Sequence, residues 1–196
     1  MDQLQPFDLV IFLVLLAMFI VGYAQGVVRR LLGIGAILFS LILGSLLRQS
    51  LGEYLSHEWT SIVPSYSYMV AYGAIFLAAA VTISVGIQIS YRPAPLFPRY
   101  PVLDEILGGL LGVLEGILIL VAILLILDPY YTQPDVQDKV GIGEFALLRT
   151  LHQLFDNSLT ASILRHNVIP AFLAIFGLLI PQDVKNAFAR ALTARA

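Results

Sequence analysis

The stretch ILGGLLGVLEGILILVAILLIL, residues 106–127, decides the fold class because it contains a single charged residue, Glu115, in 22 positions. An α-helix rises 1.5 Å per residue, so this stretch would be about 33 Å long as a helix. The hydrocarbon core of a bilayer is about 30 Å thick. The sequence therefore predicts a membrane-spanning helix over residues 106–127.

Three further windows have the same apolar character and predict spans over about residues 8–28, 31–47 and 69–90. Of the 196 residues, 59% are hydrophobic and 12% are charged, whereas soluble domains average about 45–50% and about 25%. Apolar residues in this excess need an apolar solvent around the protein. We therefore expect an all-α polytopic membrane protein with four transmembrane helices, in which residues 1–127 form the four-span unit.

Residues 128–196 are predicted to form a C-terminal extension of interfacial helices. Apolar side chains recur at helical spacing over residues 145–159, which indicates an amphipathic helix. Residues 169–180 are apolar, but 12 residues reach only about 18 Å. That length favours an interfacial helix, with a fifth full span as the alternative. A short surface helix is expected from residue 182 onward.

Charge and motif content narrow the classes of function. The net charge of −2 provides no basic face for nucleic acid, and the absence of cysteine excludes disulfides and thiolate metal sites. His57, His152 and His166 lack the spacing of metal ligands, and no nucleophile elbow, phosphate loop or dinucleotide motif occurs. We therefore expect no catalytic, cofactor-binding or metal site, and a protein that is not an enzyme.

Arginines near the span ends predict the orientation in the membrane. Arg29 and Arg30 lie in the first connection, and Arg92 and Arg99 lie in the third. Connections rich in Lys and Arg stay in the cytoplasm. The segment before the first span contains neither residue, so both termini are expected to be extracytoplasmic.

Two sets of glycines predict helix-packing faces. Gly108, Gly112 and Gly116 lie four residues apart on one face of the fourth span, and Gly22 and Gly26 form a second, shorter stripe on the first. Small residues at this spacing allow another helix to approach closely. Besides the lipid bilayer, the expected partner is therefore a second copy of the chain or another membrane protein, with a backbone-lined pathway as the alternative role.

Glu115 is a candidate intramembrane polar site because an ionisable group at that depth must face protein or water. Gln25 and Gln88, together with Thr82 and Ser84, are candidate partners for its carboxyl group. One interpretation is a protonated glutamate that bonds to a neighbouring helix. The other is a proton or cation site in a small transporter or channel.

Three motifs occur in a characteristic order: FDLVI at 7–11, GYAQGVVRRLLG at 22–33 and LDEILGGLLGVLEG at 103–116. Over about residues 5–127 the chain resembles the colicin V production protein family of bacterial membrane proteins. The family commonly has a basic residue where this chain has Glu105, and often where it has Glu115. The resemblance implies an inner-membrane protein linked to toxin production and to the cell envelope. Together with the missing catalytic motifs, it favours a non-enzymatic accessory or assembly module. It carries over no catalytic residue.

Overall fold

A computed structural model describes residues 5–59, 63–90, 96–97, 99–132, 145–177, 180 and 182–193. Within these ranges helices are the regular secondary structure, as expected for an all-α protein. In chain order they are α1 (Pro6–Gln25), α2 (Val27–Glu58), α3 (Pro64–Ser90), α4 (Pro101–Tyr131), α5 (Ala146–Asp156), α6 (Leu159–Phe176) and α7 (Gln182–Thr193).

Local sequence sets where the helices begin and end. Proline opens α1 and α4, where a missing backbone N–H costs no intrahelical bond. Gly26 alone separates α1 from α2, with a φ of +76°, a conformation that side chains disfavour and glycine adopts freely. The first two helices therefore form a tight hairpin.

The helices α2, α3 and α4 extend beyond the apolar windows that predicted them, whereas α1 ends at Gln25, before the predicted end of the first span at residue 28. The predicted span over residues 31–47 lies inside α2, which continues to Glu58. Residues 48–58 are polar but contain no proline, so they prolong the helix beyond the apolar segment. The length of an apolar segment indicates how much of a helix lies in the membrane, whereas the end of the helix depends on residues that break or cap it.

Five helices are long and apolar enough to cross a membrane: α1, α2, α3, α4 and α6. The 12-residue estimate for the fifth was too short, because α6 begins at Leu159 and its 18 residues extend about 27 Å. A π-helical turn at Leu164–Val168 precedes Pro170. Its wider spacing lets the helix continue into the proline, so the predicted helix over residues 169–180 is part of a longer one.

The central helix is α4, whose second half is buried; Val121, Ala122 and Leu124 are completely inaccessible to solvent. It packs along α1 on one side, and α2 packs along α3. Apolar side chains remain exposed on α1 and α3, as expected for surfaces that face lipid. The C-terminal helices α5–α7 pack around the second half and end of α4, where α1 and α3 begin.

Candidate functional site

Glu115 on α4 is paired with Arg30 in the first turn of α2: Nη1 of Arg30 donates a hydrogen bond to Oε2 of Glu115. The side chains are 7% and 13% exposed, respectively. Gly33 makes this approach possible, because a Cβ atom there would lie 3.0 Å from the carboxyl carbon of Glu115. The partner of Glu115 is therefore an arginine and not one of the neutral polar residues named from the sequence.

The ion pair lies in a cleft of about 230 Å³. The structure brings the predicted residues Gln25, Gln88 and Glu115 together in this cleft, where they meet residues from four helices. The described lining comprises Val21, Gln25, Arg29, Arg30, Gly33, Ser84, Ile87, Gln88 and Glu115. These residues form a polar recess beside the α1–α2 turn, and among them are two arginines and one carboxylate.

Sequence reasoning treated Arg30 as a marker of orientation and missed its place in the site. Arg30 is 6% exposed, and its Nε has no hydrogen-bond partner among the described residues. The signal that could have identified Arg30 as a site residue is its position, because it lies three residues after the start of α2 and not in a loop. Side chains at the start of a helix can point along it toward a neighbour that only the tertiary fold supplies.

The glycine stripes form a close helix–helix contact within the chain. A Cβ atom at Gly108 would lie 2.6 Å from the carbonyl oxygen of Gly22 and 2.9 Å from the Cα of Gly26. Gly112 faces the backbone of Met18, while Gly116 faces the side chains of Leu15 and Met18. Because α1 of the same chain occupies this face, an oligomer requires a different surface from the one that the stripe suggested.

Asp8, in the first turn of α1, binds the start of α6. Its carboxylate accepts hydrogen bonds from Ser158 Oγ (2.6 Å) and from the backbone N and Oγ1 of Thr160 (2.9 and 2.7 Å). The side chain is buried. An anion at a helix N-terminus satisfies backbone N–H groups that have no intrahelical acceptor, so Asp8 fixes α6 to the beginning of α1.

A second ion-pair cluster joins the end of α4 to α6. Arg165 donates to both carboxylate oxygens of Asp128, each at 2.8 Å, and also contacts Asp156 at 3.2 Å. His152 lies 3.2 Å from Asp128 and is buried against the ring of Tyr131. Among the described residues no group of three His, Asp or Glu could hold a metal ion, and this cluster is centred on a guanidinium.

These features define an α-helical, multi-pass membrane protein in which ion pairs join charged residues of different helices. Residues 7–165 match the protein family described as "Colicin V production protein". The chain therefore belongs to the colicin V production protein family, as its motifs suggested. The match extends past the resembling segment and includes Asp8, Asp128 and Arg165. Neither curated proteins nor solved structures gave a match.

Proposed function

We propose that this protein is a non-enzymatic accessory or assembly module of the bacterial inner membrane, linked to the production or secretion of a toxin across the cell envelope. Family membership supports the link to toxin production. The module acts by packing against other membrane components, since the buried carboxylates of Glu115 and Asp128 are engaged by arginines inside the chain.

The pairing of Glu115 with Arg30 is the observation that carries this proposal. On α2 the described lining of the polar cleft runs from Arg29 to Gly33, roughly 6 Å along the helix. Beyond Glu115, residues 116–127 of α4 are uncharged and apolar for a further 18 Å or so. The cleft therefore ends at an ion pair whose charges neutralise each other, and apolar residues follow it along α4. This arrangement supports a structural role for the pair rather than ion conduction.

The uncovered face of α1 is the surface we propose for contact with a second copy or another membrane protein. Leu9, Phe12 and Ile20 are each at least 60% exposed on it. The test is a photo-crosslinking amino acid at Phe12 in native membranes, followed by mass spectrometry of the adducts. A protein adduct at fixed ratio is expected. The matched control is the same probe at Leu124, which is buried, and adducts with lipid alone at Phe12 would refute the proposal.

Both termini are proposed to be extracytoplasmic, with α6 lying along that membrane surface. The register of Gly22 on Gly108 and Leu15 on Gly116 means that α1 and α4 run antiparallel, so α1 begins where α4 ends. Asp8 binds the start of α6, and Asp128 binds Arg165, about 9 Å further along it. Two attachments to the same end of the bundle support a helix that does not cross.

The cysteine-free sequence makes this orientation testable with single introduced thiols. His57→Cys and Asn186→Cys should react with a membrane-impermeant maleimide in intact cells. Arg99→Cys, at the other end of the bundle, should react only after permeabilisation. All three positions are exposed. Protection of Asn186→Cys together with labelling of His57→Cys would mean that α6 crosses the membrane.

A small transporter or channel is the second candidate, because the cleft places Gln25, Ser84 and Gln88 around the Arg30–Glu115 pair. Ion or proton flux into vesicles that contain the purified protein is the test. In this alternative Glu115→Gln abolishes flux, whereas Ser56→Ala, outside the cleft, leaves it unchanged. Wild-type vesicles that conduct no better than protein-free vesicles would exclude the transporter reading.

A further inference from the structure

The cleft around Glu115 opens into a gap between α1 and α3. Because α1 packs along α4 and α2 packs along α3, these two pairs of helices leave a space between α1 and α3 beside the α1–α2 turn. Val21 on α1 and Gln88 on α3 line the cleft and are exposed. The mouth of the cleft therefore lies between these two residues, where a membrane molecule can enter it from the side.

Arg29 provides a positive charge in this cleft that no other described residue takes up. It is half-buried in the first turn of α2 and belongs to the lining of the cleft. Within the described ranges, no residue forms a hydrogen bond or an ion pair with its guanidinium group. The other arginine of the cleft, Arg30, is paired with Glu115. Since a charged side chain at a membrane must face protein, water or a countercharge, Arg29 is free to bind an anion.

Two further features make the start of α2 favourable for an anion. The helix begins directly after Gly26, and no side chain caps its first turn, so the backbone N–H groups there carry the positive end of the helix dipole. In addition, Nε of Arg30 is buried and has no hydrogen-bond partner among the described residues. A buried donor without an acceptor is costly and indicates a missing partner. An acceptor group is therefore missing from this part of the cleft.

An apolar groove between α2 and α3 adjoins the cleft and shares Ile87 with it. The groove has a volume of about 520 Å³, and its described lining is Leu32, Ile83, Gly86, Ile87 and Ser90. From Ser90 to Ile83 it extends roughly 10 Å along α3. A Cβ atom built at Gly86 meets no described atom within 4 Å, so the groove is open to the surrounding membrane.

The cleft and the groove meet where the apolar segments of the helices end. Arg29 lies just before the apolar segment over residues 31–47, and Gln88 lies just before the end of α3. The phosphate groups of a bilayer lie at this boundary, because they flank its hydrocarbon core. From Ser90 the groove follows α3 toward the hydrocarbon core, which is the direction that an acyl chain takes. The position therefore favours a lipid over a soluble anion.

We propose that the mouth of the cleft binds the phosphate group of an anionic phospholipid. Arg29 supplies the countercharge, Gln88 donates a hydrogen bond from its amide group, and a phosphate oxygen supplies the acceptor that Nε of Arg30 lacks. An acyl chain lies in the groove over Gly86 and Ile87. Basic recesses between membrane helices recognise anionic head groups in this way. This binding site does not depend on the accessory role proposed above.

The test is lipid binding by the full chain, freed of lipid in detergent and titrated with phosphatidylglycerol in native mass spectrometry. Arg29→Gln should weaken binding about tenfold or more, the range for a hydrogen bond to a charged group. Gln88→Ala should weaken it about threefold to tenfold, because the exposed amide contributes one hydrogen bond. The matched control is Arg99→Gln, which removes a positive charge at an exposed position outside the described lining and should leave binding unchanged.

Gly86→Trp tests the groove, because its side chain would occupy the path of the acyl chain. This variant should weaken the binding of phosphatidylglycerol. Gly35→Trp is the matched control, since a Cβ atom built at Gly35 also meets no described atom within 4 Å, and it should bind as the wild type does. The melting temperatures of the lipid-free variants should stay close to that of the wild type, which separates lost binding from lost folding. Phosphatidylcholine, whose head group has no net charge, should bind more weakly than phosphatidylglycerol.

Inorganic phosphate distinguishes a lipid from a free anion. If phosphate alone raises the melting temperature as much as phosphatidylglycerol does and Gly86→Trp has no effect, the cleft binds a soluble anion and the lipid assignment is wrong. If Arg29→Gln binds phosphatidylglycerol as tightly as Arg99→Gln does, the cleft holds no anion and the whole proposal is overturned.

Discussion

Adding one methyl group at Gly112 should force α1 away from α4 and destabilise the protein. The new Cβ atom would lie 3.0 Å from the carbonyl carbon of Met18 and 3.2 Å from the Cα of Gly22. The carbonyl oxygen of Met18 would lie closer still, and carbon atoms pack best at about 3.5–4.0 Å, so the two backbones must separate. Because both neighbours are backbone atoms, no side-chain rotation can relieve the overlap.

The expected change in the free energy of unfolding follows from two opposing contributions. Overpacking of a close contact costs about 1–3 kcal/mol, while replacing glycine by alanine within a helix gains about 0.5–1 kcal/mol. Gly112→Ala should therefore lower the free energy of unfolding by about 1–2 kcal/mol. Gly35 on α2 is the matched control, because no described atom lies within 4 Å of a Cβ atom built there. Gly35→Ala should be neutral or stabilising.

The assay is reversible unfolding in mixed micelles, followed by circular dichroism as the fraction of denaturing detergent rises. A Gly112→Ala protein as stable as Gly35→Ala would refute the reasoning. Particle mass in mild detergent should be the same for both variants and the wild type, since α1 covers the stripe within one chain. A change in mass without a change in stability would instead indicate that the stripe joins different chains.

Three further predictions concern the ion pairs and the C-terminal helices. Glu115→Leu should lower the free energy of unfolding by about 3–5 kcal/mol, because it leaves Arg30 buried without its partner. Adding Arg30→Met should recover most of that loss in the same unfolding assay. An equal loss in the double variant would contradict a direct pair. Asp8→Ala removes the acceptor at the start of α6 and should expose residues after 145 to limited proteolysis, while Gln49→Ala should not. Arg165→Met leaves Asp128 buried without its bidentate partner and should lower the melting temperature more than Arg190→Met; equal shifts would mean that the cluster contributes nothing.

Much of the fold could be predicted from the sequence because a bilayer imposes simple requirements. Each crossing needs about 20 apolar residues, so residues 106–127 and the other windows predicted an all-α membrane protein. The order of glycine and acidic motifs also indicated the family, which the match over residues 7–165 established. The lengths of α2 and α6 were underestimated, because hydropathy indicates which residues contact the membrane and does not indicate where a helix ends.

The partners of the charged residues were decided by tertiary structure alone. Glu115 and Arg30 are 85 residues apart in sequence, and Asp8 lies about 150 residues from Ser158 and Thr160. The sequence indicated that Glu115 needs a partner, because an ionisable group in a membrane is costly. It could not name the partner, because that depends on the register in which the helices pack. Gly33 on α2 faces the carboxyl group of Glu115 on α4, and this close approach brings Arg30 to its partner.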